Sequence, residues 1–197
     1  MEEIFVVDCM RTPFGSFNGA LSDVEPSTLA ATVITGLLER SGLTPEAVDE
    51  VVMGQVLSGG CGQAPARQAM RAAGIPDTVP ALTINKVCGS GLKSLMLAAD
   101  SIRAGNSDVV LAGGMENMSQ APYFLKKGRG GYRMGHDQLF DLLIHDGLQD
   151  PYTGRHMGEI GEDSATRNGI SRQEQDDFAL RSYRLAQSAV KGGVFAR

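Results

Sequence analysis

A chain of 197 residues, 42% hydrophobic and 21% charged, has ordinary globular composition and enough length to bury a sizeable core. Its net charge of -5 argues against a nucleic-acid binder, whose footprint is basic, and no apolar run reaches the length of about 20 residues that a membrane span needs. Three cysteines, Cys9, Cys61 and Cys88, are too few and too scattered for a disulfide framework or a metal site, which fits reduced thiols in a cytoplasm.

Residues 4–9 (IFVVDC) predict a buried strand, with Cys9 in the core. Pro26 opens a helix on which Leu29, Val33 and Leu37, with Ile34 and Leu38, share one face, and Gly42 stops it. Thr44-Pro45-Glu46 starts a short helix. Residues 50–57 predict a second strand, 64–73 a helix and 82–87 a third strand. A long helix follows, lined by Leu92, Leu95, Met96, Ala99 and Ile102 and ended by Gly105. Residues 108–112 predict a fourth strand. Strands and helices in alternation imply helices on both faces of a mostly parallel sheet. The texture changes near residue 117. The expectation is an α/β domain over 1–117 and a loop-rich module over 118–197, with helices near 137–145, 156–167 and 172–190. Ser171 and Glu174 form a capping box for the last of these.

The chemistry concentrates at Asn85-Lys86-Val87-Cys88-Gly89-Ser90-Gly91. A helix start favours negative charge, and so favours a thiolate over a thiol. Its N–H groups can also hold the oxyanion formed when sulfur attacks a carbonyl. Gly89 and Gly91 leave room for a substrate. These features suit an acyl-forming cysteine. The alternative is a cysteine packed as a small hydrophobe. Phosphate binding fits poorly: Leu92, not glycine, precedes Lys93, and Ser94 stands where a dinucleotide fingerprint needs its third glycine.

Beyond that motif, the chain carries Arg11-Thr12-Pro13-Phe14-Gly15, Gly54-Gln55-Val56-Leu57, Gly62-Gln63-Ala64-Pro65-Ala66-Arg67-Gln68, Ala112-Gly113-Gly114-Met115-Glu116-Asn117-Met118-Ser119, Asp146-Gly147-Leu148, His156-Met157-Gly158 and Ser171-Arg172-Gln173-Glu174-Gln175-Asp176. Taken together and in this order, they resemble the N-terminal half of the thiolase family, of the acetyl-CoA acetyltransferase kind. The resemblance implies a layered α-β-α fold with an inserted loop domain. It also implies Claisen condensation of two acetyl-CoA to acetoacetyl-CoA and CoA, with thiolysis as the reverse, through an acetyl group on Cys88. A broad-chain 3-ketoacyl-CoA thiolase and a non-catalytic scaffold subunit are the rival readings.

The same resemblance places Leu148, His156 and Met157 along the pantetheine and acyl end of the site. It places Tyr183 near the CoA, and near a potassium ion in the potassium-responsive members. CoA thioesters are then substrates, and no other cofactor is implied. Read without the family, His156 is a surface histidine, Met157 a packing residue, and Tyr183 a packing residue spaced with Phe178 and Ala186. His136 and His145 read as surface residues. The basic cluster Lys126-Lys127-Gly128-Arg129 falls where the family has a tetramer-forming loop, so a dimer or tetramer is expected. The family's Met-Gly-x-Thr-Ala-Glu-Asn reads here Met157-Gly158-Glu159-Ile160-Gly161-Glu162-Asp163, which removes a hydroxyl and an amide. The Gly-His-Pro histidine and the second cysteine in Cys-x-Gly-Gly-Gly have no counterpart in these residues. The expectation is a companion chain, or a missing C-terminal half, that supplies them.

Overall fold

The computed structural model describes residues 3–195. Three parallel strands form its main sheet in the order β2-β1-β3: β1 Glu50–Gly54, β2 Ala81–Ile84 and β3 Val110–Gly114. Val52 sits opposite Leu82 on one side and Ala112 on the other. Helix α1 (Pro26–Ser41) begins on its proline and ends at Gly42, whose φ of 69° suits glycine. Its packed stripe is Ala30, Ala31, Ile34 and Leu38, one step round from the expected Leu29, Val33 and Leu37, which are half-buried. Helix α2 (Pro65–Ala72) lies between α1 and the sheet. Its Ala66 N–H donates to Thr83 Oγ1 of β2 at 3.0 Å.

Alternation along β1 separates the two faces. Val51 and Met53 join Ala66, Ala69 and Met70 of α2 and Ile34 of α1 in one buried cluster. Gly54, of the opposite parity, lies against the start of α3 (Ser90–Arg103). Helix α3 also packs on β3. The layered α/β fold expected from the sequence is therefore present, with α1 and α2 on one face and α3 on the other.

The side of α3 lined by large apolar residues is not the side it turns to the sheet. Ser90, Ser94 and Ala98 are buried, while Leu92, Leu95 and Met96 are exposed. A helix resting on glycine-bearing strands comes too close for large side chains, so its small residues face inward. Residues 4–9 form no strand. Phe5, Val6 and Val7 are open to solvent, and so is Cys9. A strand requires a paired neighbour, and none flanks this segment among the described residues. Instead Arg40, in the last turn of α1, holds Asp8 with both Nε and Nη2 at 2.6 Å and also bonds the Cys9 carbonyl.

By compactness the chain divides between Gly147 and Leu148. Late in the first unit, β4 (Tyr123–Phe124) and β5 (Phe140–Asp141) pair antiparallel. The expected helix over 137–145 is replaced by β5 and a wide helical turn, Leu143–Leu148. His145 is not a simple surface residue: it packs edge-on against Phe124 and Phe140. In the second unit, helices α4 (Met157–Arg167) and α5 (Arg172–Lys191) match expectation. Ser171 and Glu174 make the capping box in full. Among the described residues no helix is long and apolar enough to cross a membrane.

Candidate active site

Cys88 lies in the turn from β2 into α3, exposed and unpaired. The turn is fastened from inside. Ser90 Oγ accepts from the Lys86 N–H at 2.8 Å and donates to the Val87 carbonyl at 2.6 Å. The Gly89 and Ser90 N–H groups donate to the Lys86 and Val87 carbonyls, each at 3.1 Å. Val87 has a φ of 48°. A β-branched residue avoids that region, where it is strained by about 1–3 kcal/mol. The bend that presents Cys88 is therefore held by its surroundings, not by local preference.

Close approach of backbone fixes the start of α3. A Cβ on Gly54 would lie 2.5 Å from the Ser90 carbonyl carbon and 2.7 Å from the Gly91 nitrogen, and one on Gly114 would lie 3.5 Å from the Gly91 Cα. Ser94, fully buried, bridges α3 to β3 through Oγ, 2.6 Å from the Gly91 carbonyl oxygen and 2.8 Å from that of Gly113. The thiol thus stands at the carboxyl end of a parallel sheet, where open α/β folds hold their ligands.

Three polar residues beside this turn were quoted in the motifs, but the sequence assigned them no role. Glu116, just past β3, accepts from the Val56 N–H at 2.8 Å and the Leu57 N–H at 3.2 Å. Burial pushes its carboxyl above the ordinary range, and those two N–H bonds oppose the rise. Asn85 donates to the Val56 carbonyl at 3.3 Å and accepts from the Val87 N–H at 2.8 Å. Gln55 holds the next loop from inside, its Nε2 lying 3.4 Å from the Leu57 carbonyl oxygen and 3.3 Å from Cys61 Sγ. Burial pushes the Cys61 thiol up, and the Gln55 bond opposes this.

The other expected site residues belong to the second unit. Residues 149–156 fold back on themselves, with Gln149 bridged to His156 and the Asp150 N–H donating to the Arg155 carbonyl at 2.8 Å. That turn brings half-buried Leu148 to the end of α4 where His156 and Met157 stand exposed. His156 is the N-cap of α4, its Nδ1 accepting from the Gly158 N–H at 3.0 Å. With Nδ1 used as an acceptor, Nε2 carries the ring proton. Tyr183 is exposed midway along α5. The substituted Asp163 has its own partner: Arg155 Nη1 sits 2.5 Å from its carboxylate and holds it below the ordinary range. Among the described residues no group of three or more His, Cys, Asp or Glu side chains is placed to hold a metal ion.

Residues 4–197 match the family model described as thiolase, N-terminal domain. The chain belongs to the thiolase family. It is 51% identical over 195 residues to an acetyl-CoA acetyltransferase of Cupriavidus necator, an alignment covering 99% of this chain and 50% of that one. It is 50% identical to an acetyl-CoA acetyltransferase of Chromobacterium violaceum, covering 98% of this chain and 49% of the other. A probable acetyl-CoA acyltransferase of Staphylococcus aureus is 48% identical, with 99% and 50% covered. This thiolase N-terminal domain chain therefore spans about half the length of the curated relatives it matches.

Proposed function

We propose that this chain supplies the nucleophile half of an acetyl-CoA C-acetyltransferase. The observation that carries the reading is Cys88 itself: an exposed thiol in a strained turn at the start of α3 that Ser90 and Asn85 fasten by hydrogen bonds. In the first step the Cys88 thiolate attacks the acetyl-CoA carbonyl. The tetrahedral adduct collapses, and CoA leaves as its thiolate, which takes a proton. A second acetyl-CoA loses an α-proton to a base, and its carbanion attacks the acetyl-cysteine carbonyl. Acetoacetyl-CoA forms and the Cys88 thiolate is regenerated. Thiolysis runs the same steps backwards. Leu148, His156 and Met157 line the pantetheine and acyl end in this reading, with the His156 Nε2–H free to donate to a carbonyl. Tyr183 lies near the CoA, beside the monovalent cation in a potassium-responsive enzyme.

The base for Cys88 and the acid/base for the carbanion come from the rest of the molecule, whether a second polypeptide or a C-terminal half. The exposed Leu92, Leu95 and Met96 of α3 support this, since a helix apolar on its outer face is normally covered. Three unpaired cysteines suit a reducing cytoplasm. The test is a mass measurement: incubate the complete enzyme with acetoacetyl-CoA, quench with acid, and weigh the Cys88 peptide. An acetyl increment lost in Cys88→Ser is expected. A peptide that stays unacetylated would favour a scaffold subunit. Among acyl-transfer readings, a chain-length series separates an acetoacetyl-CoA enzyme from a broad-chain one.

A further inference from the structure

We propose that Glu116 and Asn85 are positioning residues for Cys88, acting through one continuous run of hydrogen bonds that ties the ends of all three main strands to the strained Val87 peptide. The proposal rests on the reading of Cys88 as the nucleophile, and it extends that reading to two residues that never meet the substrate.

The run begins just past β3. The Glu116 carboxyl accepts the Val56 and Leu57 N–H groups, which belong to the chain leaving β1. This fixes the plane of the Val56 peptide. The carbonyl on that residue accepts from Asn85 Nδ2, on the chain leaving β2. Asn85 Oδ1 then accepts from the Val87 N–H, and Val87 carries the left-handed backbone immediately before Cys88. Every bond of the run lies at the carboxyl ends of parallel strands, on the side from which Cys88 is presented.

Strain of this kind persists only where the surroundings over-determine it. Ser90 fastens the turn from the helix side, through Lys86 N–H and the Val87 carbonyl. Nothing in that clamp touches the Val87 N–H. The Asn85 bond closes that remaining freedom, and Glu116 fixes the peptide to which Asn85 is itself anchored. Without the run, Val87 relaxes toward negative φ and the thiol swings away from the start of α3. A bidentate carboxyl explains why a half-buried acid is kept at residue 116 despite the desolvation that burial imposes on it.

The experiment uses iodoacetamide on the 197-residue chain, with alkylation at each cysteine read by peptide mass so that Cys9 and Cys61 stay in place. Glu116→Gln replaces one accepting oxygen by a donor. Asn85→Asp keeps the acceptor for Val87 and removes the donor to Val56. Each is expected to slow Cys88 alkylation roughly three- to tenfold, a usual scale for losing one intramolecular hydrogen bond. Alkylation of Cys9 should stay unchanged. The double variant should be no slower than the worse single one, because both cut the same run. Unchanged or faster Cys88 alkylation in the single variants overturns the proposal. So does a double variant whose effects simply multiply. Thermal melts identify a variant that fails to fold, and Asn85→Asp alone then decides. The function reading fails separately: wild-type Cys88 that never takes an acetyl group overturns it, even with the alkylation pattern intact.

Discussion

Gly54 is where the sheet decides the position of Cys88, and Gly54→Ala is the sharpest perturbation of that arrangement. An added methyl would sit 2.5 Å from the Ser90 carbonyl carbon and 2.7 Å from the Gly91 nitrogen, where ordinary contact begins at 3.4 Å. Both obstacles are backbone, so no side chain can rotate aside. The first turn of α3 must retreat by roughly 1 Å, carrying Cys88 with it. Overpacking of this kind destabilises by about 1–3 kcal/mol. The stiffer unfolded chain returns about 0.4–1 kcal/mol of that. The net loss is then about 1–2 kcal/mol, or a fall in Tm of roughly 2–8 °C for a chain of this size. Gly91→Ala is the matched control. Nothing lies within 4 Å of its added methyl, so it should hold or raise the Tm, by up to about 1 kcal/mol of helix propensity. Circular-dichroism melts of the two variants, with Cys88 alkylation on each, are the assay. If Gly54→Ala melts with the wild type and its Cys88 reacts at the wild-type rate, α3 does not rest on β1 as described.

In the second unit, Ser171→Ala removes the Oγ that accepts from the Glu174 N–H and donates to the Glu174 carboxylate, leaving only the Ser171 N–H bond of the capping box. It should weaken the start of α5 by about 1 kcal/mol, seen as faster amide exchange at residues 172–175 and no change in β1; equal exchange there would refute it. Glu116 gives a pH prediction. Its folded pKa is raised above 4.5, chiefly by burial, so the folded chain holds that proton more tightly than the unfolded one. The stability this provides is full below pH of about 4.5 and is lost as pH rises through the folded value. Glu116→Gln cannot titrate, so wild type should lose stability relative to the variant as pH climbs, measured by urea unfolding at stepped pH. A gain on the same climb would refute the assignment.

Much of the frame was legible because its signals are local. Pro26 and Gly42 mark the ends of α1 through backbone restriction alone, and the three-residue spacing of Ser171 and Glu174 marks the start of α5. The N-cap role of His156 had a faint signal of the same kind, a side-chain acceptor immediately before the first helical residue. Orientation was less legible. Periodicity weighs large apolar side chains, so it grouped Leu92, Leu95 and Met96 on one side of α3 without showing that Ser90, Ser94 and Ala98 are the side that packs. The decisive facts were Gly54 and Gly114, distant in sequence, which demand small residues opposite them. Residues 4–9 have strand composition, but composition does not say whether a neighbouring strand is present to pair with. Cys88 was singled out from its junction and its motif, and the structure leaves it exposed between β2 and α3. Glu116 and Asn85 were quoted without a role, because their bonds span 60 and 29 residues and leave no periodic trace.

The open segment at residues 5–7 bears on how the chain behaves in a test tube. Phe5, Val6 and Val7 are each about three-quarters exposed or more, and the outer edge of β3 carries no strand among the described residues. An exposed apolar segment of strand composition and a bare sheet edge on the same molecule are the ingredients of edge-to-edge polymerisation between copies. Handled alone, the chain should have a solubility ceiling that falls with rising ionic strength and temperature. A lysine in place of Val6 should raise that ceiling without touching the thiol.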